Sequence, residues 1–240
     1  MRLSINMKFW HDGQEDSTRV RNVNFAWKEL KKLNSFLLEN GINSFVKLYD
    51  FSPEKVIDEA IHISYPLGVY KKAEKTNIIL KENANSDFFM MIDCDAFFDK
   101  SDYNNFLNLI KSLEKGNVIT FDLAKLDHTL IDQYLANDEF ILDKADWSYA
   151  YSGNRKNGPF GNGHVGGLGG VYICDTYLLL DIGGFNEKYV GWGGEDGDMM
   201  DRIFSYNGVK KIKPTSNFAA FHLPHFSDYN SKLYSQRFEE

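Results

Sequence analysis

Three groups of residues in this chain have the types and spacing to do chemistry. The first is Asp93-Cys94-Asp95, directly after the apolar run Phe88 to Ile92. Acids at alternate positions of extended chain point the same way. Like charges at the end of a buried strand are costly unless a cation lies between them or water reaches them. A hard divalent ion that also takes oxygens from a diphosphate would resolve that cost; the plainer reading is a solvated turn holding two acids.

The second group is Gly183-Gly184-Phe185-Asn186-Glu187 and then Gly191-Trp192-Gly193-Gly194-Glu195-Asp196-Gly197-Asp198. Glycines let backbone approach a ligand, and they leave Trp192 free to stack on the C–H face of a sugar. Glu195 and Asp196 are expected just ahead of a helix over 198–207, where the helix dipole keeps a carboxylate ionised, the state a general base needs. A glycine turn with a helix cap would account for Asp196 but not for the tryptophan. The third group is Phe221-His222-Leu223-Pro224-His225. Imidazole accepts Mn or Zn more readily than Mg. One such histidine with Asp95 and two phosphate oxygens would leave positions for water in an octahedral shell.

These groups need a scaffold that holds them together. Leu3, Ile5, Met7 and Phe9 alternate with polar residues, the period of a strand with one buried face. Val23, Ala26, Trp27, Leu30, Leu33 and Leu37 then recur at helical steps as far as Gly41. A strand over 45–49 follows, and Ser52-Pro53-Glu54 should open another helix as cap, first-turn proline and acid. The pattern continues with a mostly helical 67–83, the buried strand 88–92, a helix capped by Ser101 and ending at Gly116, and a strand over 118–121. This alternation implies an α/β fold whose sheet is mostly parallel and flanked by helices. Such sheets bind ligands at the carboxyl ends of their strands, where Asp93 stands. From 122 to 168 the pattern weakens, and Gly153 to Gly170 reads as loop. Trp147, Tyr149 and Tyr151 in that stretch are candidates for glycan contact or for packing.

Bulk properties narrow the class. The 240 residues, 43% hydrophobic and 15% aromatic, suit one sizeable core. Against 34 acids stand 27 Lys and Arg, a net charge of −7, which disfavours a nucleic-acid surface. Two cysteines, Cys94 and Cys174, are too few for a disulfide framework and suit a reducing compartment. With no apolar leader at the N-terminus and no Asn-x-Ser/Thr site, the expectation is a cytoplasmic protein, drawn to the inner face of a membrane only through its acceptor.

In this order the three groups resemble the GT-A glycosyltransferases, most closely the inverting enzymes of the β-1,4-galactosyltransferase and chondroitin-polymerase type. The match runs from Phe88 to His225 and is strongest from Gly169-Gly170-Val171 to Arg202; Tyr70-Lys71-Lys72-Ala73 with Asn77 is similar to the helix before the D-x-D strand. The resemblance implies a Rossmann-like GT-A domain spanning 1–240, with a nucleotide-sugar-binding half, 1–121, and an acceptor-binding and catalytic half, 122–240. It implies that Asp95 ligates Mn²⁺ or Mg²⁺ with Asp93 beside it, and that either His225 or His222 completes the protein ligands. Gly170, Trp192, Lys72 and the nearby Arg19 and Arg21 would serve the donor, and Asp196 would be the base with Glu195 beside it. The implied reaction carries a hexose or N-acetylhexosamine, such as galactose, GalNAc or glucose, from a UDP-sugar to a glycan or glycolipid hydroxyl with inversion.

The chain departs from that family at two places. Gly197 stands where galactosyltransferases carry another acceptor-binding Asp, and Lys8-Phe9-Trp10-His11 replaces the proline-containing strand end that cups uracil. Two other functions compete. A sugar-1-phosphate nucleotidyltransferase needs a basic glycine-rich loop near the N-terminus, where this chain has the acidic His11-Asp12-Gly13-Gln14-Glu15-Asp16. A non-catalytic sugar-binding module would use Trp192 and the acids without releasing a nucleotide.

Overall fold

The computed structural model describes residues 1–10, 17–68, 71–121, 123–125, 170–191, 193–212, 214, 218–223 and 237–238. Seven strands form the main sheet, in the order β10-β6-β8-β4-β1-β2-β3. They are β1 (Arg2–Phe9), β2 (Asn43–Asp50), β3 (Ile61–His62), β4 (Phe88–Asp93), β6 (Asn117–Thr120), β8 (Val171–Asp175) and β10 (Lys210–Ile212). Neighbours pair in parallel except at β8, which runs antiparallel to both β4 and β6. A smaller sheet joins β5 (Ala96–Phe97), β11 (Ala220–His222) and β7 (Leu123–Lys125), and β9 (Tyr189–Val190) pairs with β12 (Arg237–Phe238).

Helices cover both faces, so alternate residues of each central strand enter different cores. On one side α1 (Ser17–Glu39) and α3 (Tyr103–Lys111) pack Leu30, Leu33, Phe106 and Ile110 against Leu3, Ile5, Met90, Ile92 and Ile173. On the other, α2 (Lys72–Glu82), α4 (Thr176–Asp181) and α5 (Glu195–Phe204) pack Ile79, Leu179, Met199 and Ile203 against Phe89, Met91, Tyr172 and Cys174.

Four expectations change. The polar residues of β1 do not face solvent: Ser4, Asn6 and Lys8 are buried, because a central strand is covered twice. Their groups find partners inside, Asn6 Nδ2 donating to the Met90 carbonyl at 3.2 Å and Ser86 Oγ to Ser4 Oγ at 3.0 Å. Residues 52–54 open no helix. The buried Asp50 carboxylate instead accepts N–H bonds from Ser52, Val56 and Ile57 at 2.9, 2.7 and 3.1 Å, which holds the chain in an irregular turn. Ser101 is not the cap before α3. Asp102 holds that position with no side-chain capping bond, and Asp99 caps the short 3-10 turn before it, its side chain accepting from the Ser101 N–H at 2.9 Å. Finally, α5 starts at Glu195, so Glu195 and Asp196 lie in its first turn rather than before it.

Candidate active site

The carboxyl ends of β1 and β4 lie side by side, with Lys8 in register with Asp93. Asp93 donates its backbone N–H to the Gly170 carbonyl at 2.8 Å. A Cβ on Gly170 would fall 2.1 Å from Asp93 Oδ2, so a side chain there would displace the carboxylate. Burial, opposed by Lys72 and Lys8 and reinforced by the negative charges of Asp95 and Asp196, raises the Asp93 pKa above the ordinary carboxylate value. Burial, together with repulsion from Lys72, lowers that of Lys8 against the pull of Asp93, Asp196 and Glu195. Lys8 Nζ donates to Thr76 Oγ1 at 3.0 Å, and that hydroxyl donates to the Lys72 carbonyl at 2.8 Å.

Lys72, the first residue of α2, ties this corner to α5. Its ammonium lies 2.5 Å from Asp196 Oδ2 and 3.1 Å from Glu195 Oε1, with the Glu195 side chain only 3% exposed. Asp93 and the pair Glu195 and Asp196, a hundred residues apart in sequence, therefore lie within electrostatic reach of the same two lysines. Asp196 Oδ1 and the Tyr172 hydroxyl are buried polar atoms with no hydrogen-bond partner among the described residues. Burial and the charge of Asp196 hold the Tyr172 phenol neutral well beyond its ordinary range.

Local sequence explains how α5 reaches this place. Its entry residue Gly194 has φ +89°, a conformation that L side chains rarely adopt. The preceding Gly183-Gly184-Phe185 turn is clamped by Asn77, whose side-chain amide donates to the Phe185 carbonyl at 2.8 Å and accepts the Phe185 N–H at 2.7 Å. A Cβ on Gly184 would fall 2.5 Å from Asn77 Oδ1. Arg202 fixes the same turn from α5, donating to the carbonyls of Ile182 and Gly184 at 3.1 and 2.7 Å and to Asp198 at 2.8 Å.

Asp95 looks to another neighbour. The chain turns at Cys94 and Asp95, so the two acids are not on one extended face as the sequence spacing suggested. Asp95 accepts the Leu223 N–H at its carbonyl, 2.7 Å, and Asp95 Oδ1 lies 3.5 Å from His222 Nε2. Pairing of His222 with Ala96 across β5 and β11 holds that imidazole beside the turn. Cys94 between the acids is held as a thiol by burial, with Asp95 and Asp93 adding to the effect and Arg19 opposing it, which places Arg19 within electrostatic reach of the turn. Arg21 is exposed, and residues two apart on a helix do not face the same way. Trp192, His225, Trp147, Tyr149 and Tyr151 lie outside the described residues. Lys8, Thr76 and Tyr172 are additions to the sequence-derived set. None of the three left a signal, since the alternation of β1 sets Lys8 on the face opposite Leu3, Ile5 and Met7.

A family model described as the N-terminal domain of galactosyltransferase matches residues 162–225, the stretch that contributes Gly170, Tyr172, Glu195, Asp196 and His222. Human beta-1,4-galactosyltransferase 2 is 36% identical over 76 residues, which are 31% of this chain and 20% of that protein. The matched segment thus spans about a fifth of the length of the curated relative. A Drosophila beta-1,4-galactosyltransferase 7 mutant, solved with manganese, UDP-Gal and xylobiose, superposes with a TM-score of 0.55 at 14% identity, covering 98% of this chain and 75% of that one. The fold is that of the GT-A glycosyltransferases. A second GT-A structure, GalNAc-T7 with UDP, GalNAc and Mn²⁺, gives a TM-score of 0.54 at 12% identity over 92% of this chain and 44% of that one. In this GT-A fold the acids, the lysines and the Gly170 cradle all gather at the carboxyl ends of β1 and β4.

Proposed function

We propose that the protein is a metal-assisted glycosyltransferase that moves a sugar from a UDP-sugar to a glycan hydroxyl with inversion. The observation that carries this reading is the meeting of Asp93 and Asp196 around Lys72 and Lys8, beside two buried oxygens that no described residue satisfies. The Drosophila structure with manganese, UDP-Gal and xylobiose and GalNAc-T7 with UDP, GalNAc and Mn²⁺ support the same donor and cation.

The residues present fit such a cation. Asp95 and His222 bring a carboxylate and an imidazole together at 3.5 Å, a mixed set that suits Mn²⁺ better than Mg²⁺. Among the described residues no group of three or more His, Cys, Asp or Glu could hold a metal unaided. Donor phosphate oxygens are the proposed further ligands, with Asp93 in support and His225 as the alternative imidazole. When bound, the ion supplies Lewis-acid stabilisation of the departing diphosphate.

The chain's own groups do the rest. Lys8 and Lys72 add positive charge where phosphate oxygens would lie. Asp196 Oδ1 accepts the proton of the acceptor hydroxyl as that oxygen forms its bond to the anomeric carbon and the bond from that carbon to the phosphate oxygen breaks in line. Glu195 retains Lys72 when Asp196 turns to the acceptor, and Tyr172 stays neutral beside it. In this reading residues 1–121 hold the nucleotide sugar and 122–240 the acceptor. A cytoplasmic location, at the inner face of a membrane when the acceptor is a glycolipid, is part of the proposal and is supported by two free cysteines.

The test is transfer from a UDP-sugar panel to glycan acceptors with and without Mn²⁺, for the native chain and Asp196→Asn. Metal-dependent release of UDP coupled to a new glycosidic bond is expected. Release of pyrophosphate from sugar phosphate and UTP would favour a nucleotidyltransferase, and glycan binding with no turnover would leave a lectin.

A further inference from the structure

The outer face of α5 carries a second feature that sugar transfer at Asp196 does not use. Between α5, the end of α4 and β9 lies an open cleft of about 520 Å³, lined by Tyr189, Asp198, Asp201, Arg202, Ser205 and Tyr206. That volume lies within the roughly 300–1,000 Å³ of small-molecule sites. Its floor is rigid, because Arg202 is fixed to Asp198 and to the carbonyls of Ile182 and Gly184. Its rim offers two kinds of contact. Asp201 and Ser205, one helical turn apart, are exposed, and the Ser205 hydroxyl, which donates to the Asp201 carbonyl at 2.7 Å, keeps its capacity to accept. Tyr206 is 40% exposed although its hydroxyl is bound to Asp181, so what it presents is the flat apolar ring; Tyr177, 73% exposed, stands close enough to influence the Tyr206 phenol.

Rings that offer a face, next to carboxylates and a hydroxyl in a shallow cleft, match the alternating C–H and O–H surface of a pyranose. The charge selects further, since among the lining residues Asp198 pairs with Arg202 and the carboxylate of Asp201 remains to repel uronates, sulfates and phosphates. We propose that this cleft binds an uncharged sugar unit of the acceptor glycan, away from the reacting hydroxyl. The cleft shares α5 with the base, and Asp196 to Ser205 spans about 13 Å along the helix, the reach of a short oligosaccharide. The inference rests on the acceptor being a glycan, as proposed above.

The experiment is amide shift mapping of the full chain without donor, titrated with cellotetraose and, separately, with a chondroitin tetrasaccharide. Cellotetraose is expected to shift Tyr189, Asp201, Ser205 and Tyr206 with millimolar affinity. Tyr206→Ala and Asp201→Ala, both surface changes, should each weaken it about tenfold, with transfer to a monosaccharide acceptor unchanged. Shifts confined to the Asp196 region, preference for the acidic tetrasaccharide, or indifference to both variants would overturn the assignment. If cellotetraose occupies the cleft and the chain transfers no sugar, the activity fails and the glycan site stands.

Discussion

Lys72 Nζ lies 2.5 Å from Asp196 Oδ2 and 3.1 Å from Glu195 Oε1, so the candidate base is held by a lysine from the first turn of a different helix. The site is thereby coupled to the fold, because the group that orients Asp196 also docks α2 on α5. Lys72→Met should leave the buried Glu195 without its partner and cost about 3 kcal/mol, the loss typical when one member of a buried pair is removed. Urea titration measures this, and Lys72→Met combined with Glu195→Gln should recover part of it. A single variant as stable as the native protein would mean that the pair contributes nothing.

Asp196→Asn keeps the shape of the side chain and removes its capacity to take a proton. Transfer should fall by about 10²–10⁴-fold, while UDP affinity, followed by calorimetry with Mn²⁺, should change little. Equal losses in both would assign Asp196 to donor binding instead.

His222→Ala and Asp95→Ala each remove one arm of the 3.5 Å pair. Both should raise the Mn²⁺ concentration for half-maximal activity by about tenfold or more, within the range seen when metal sites lose a supporting group. A Mn²⁺ titration of the His222→Ala protein that overlays the native one would move the imidazole ligand to His225.

Gly170→Ala places a methyl group 2.1 Å from Asp93 Oδ2. The atoms it strikes belong to a side chain, so Asp93 can rotate away and the stability cost should stay within about 1–3 kcal/mol. Donor affinity should drop far more than the melting temperature does; calorimetry and thermal unfolding on the same sample separate the two.

Lys75 gives a pH dependence. It is buried on α2, with its ammonium 4.7 Å from the Trp10 ring centroid and 4.3 Å from that of Tyr65. Burial, with repulsion from Lys8 and Lys71 against attraction from Glu74, lowers its pKa to about 7. A lysine with a folded-state pKa below its unfolded value of 10.5 binds fewer protons when folded, so its contribution to stability rises with pH between about 7 and 10.5, opposed above about 9 by Cys94 and Tyr172, which stay protonated in the fold. The depressed Lys8 acts in the same sense. The gain should be a few kcal/mol at most, and Lys75→Met should flatten that limb of the urea-derived stability curve. A native curve that is level or falling from pH 7 to 9 would refute it.

Much of this was legible in the sequence, and the misses have common causes. The β4 strand and its acids could be read because five apolar residues in a row admit few other structures, and Asp196 because glycines frame it. The inward role of Lys8 was hidden because alternation in β1 looks the same whether its polar face meets water or a second layer of helices. Ser52 and Ser101 both looked like caps, yet a neighbouring acid, Asp50 or Asp99, captured the backbone N–H groups in each case. A carboxylate competes better than a hydroxyl for such donors. The cleft beside α5 had no signature because its parts come from three elements that only folding brings together.

The reversed direction of β8 decides which of its two ends meets the acids. Because β8 alone among the described strands of the main sheet runs against its neighbours, the chain enters it at Gly170 on the ligand side and leaves at the opposite end. Val171 therefore pairs with Ile92, which brings Gly170 to the Asp93 carboxylate at the end where β4 releases its acids. A strand laid in the parallel sense would bring Asp175 rather than Gly170 to that end of the sheet, setting one more acid beside Asp93 in place of the cradle.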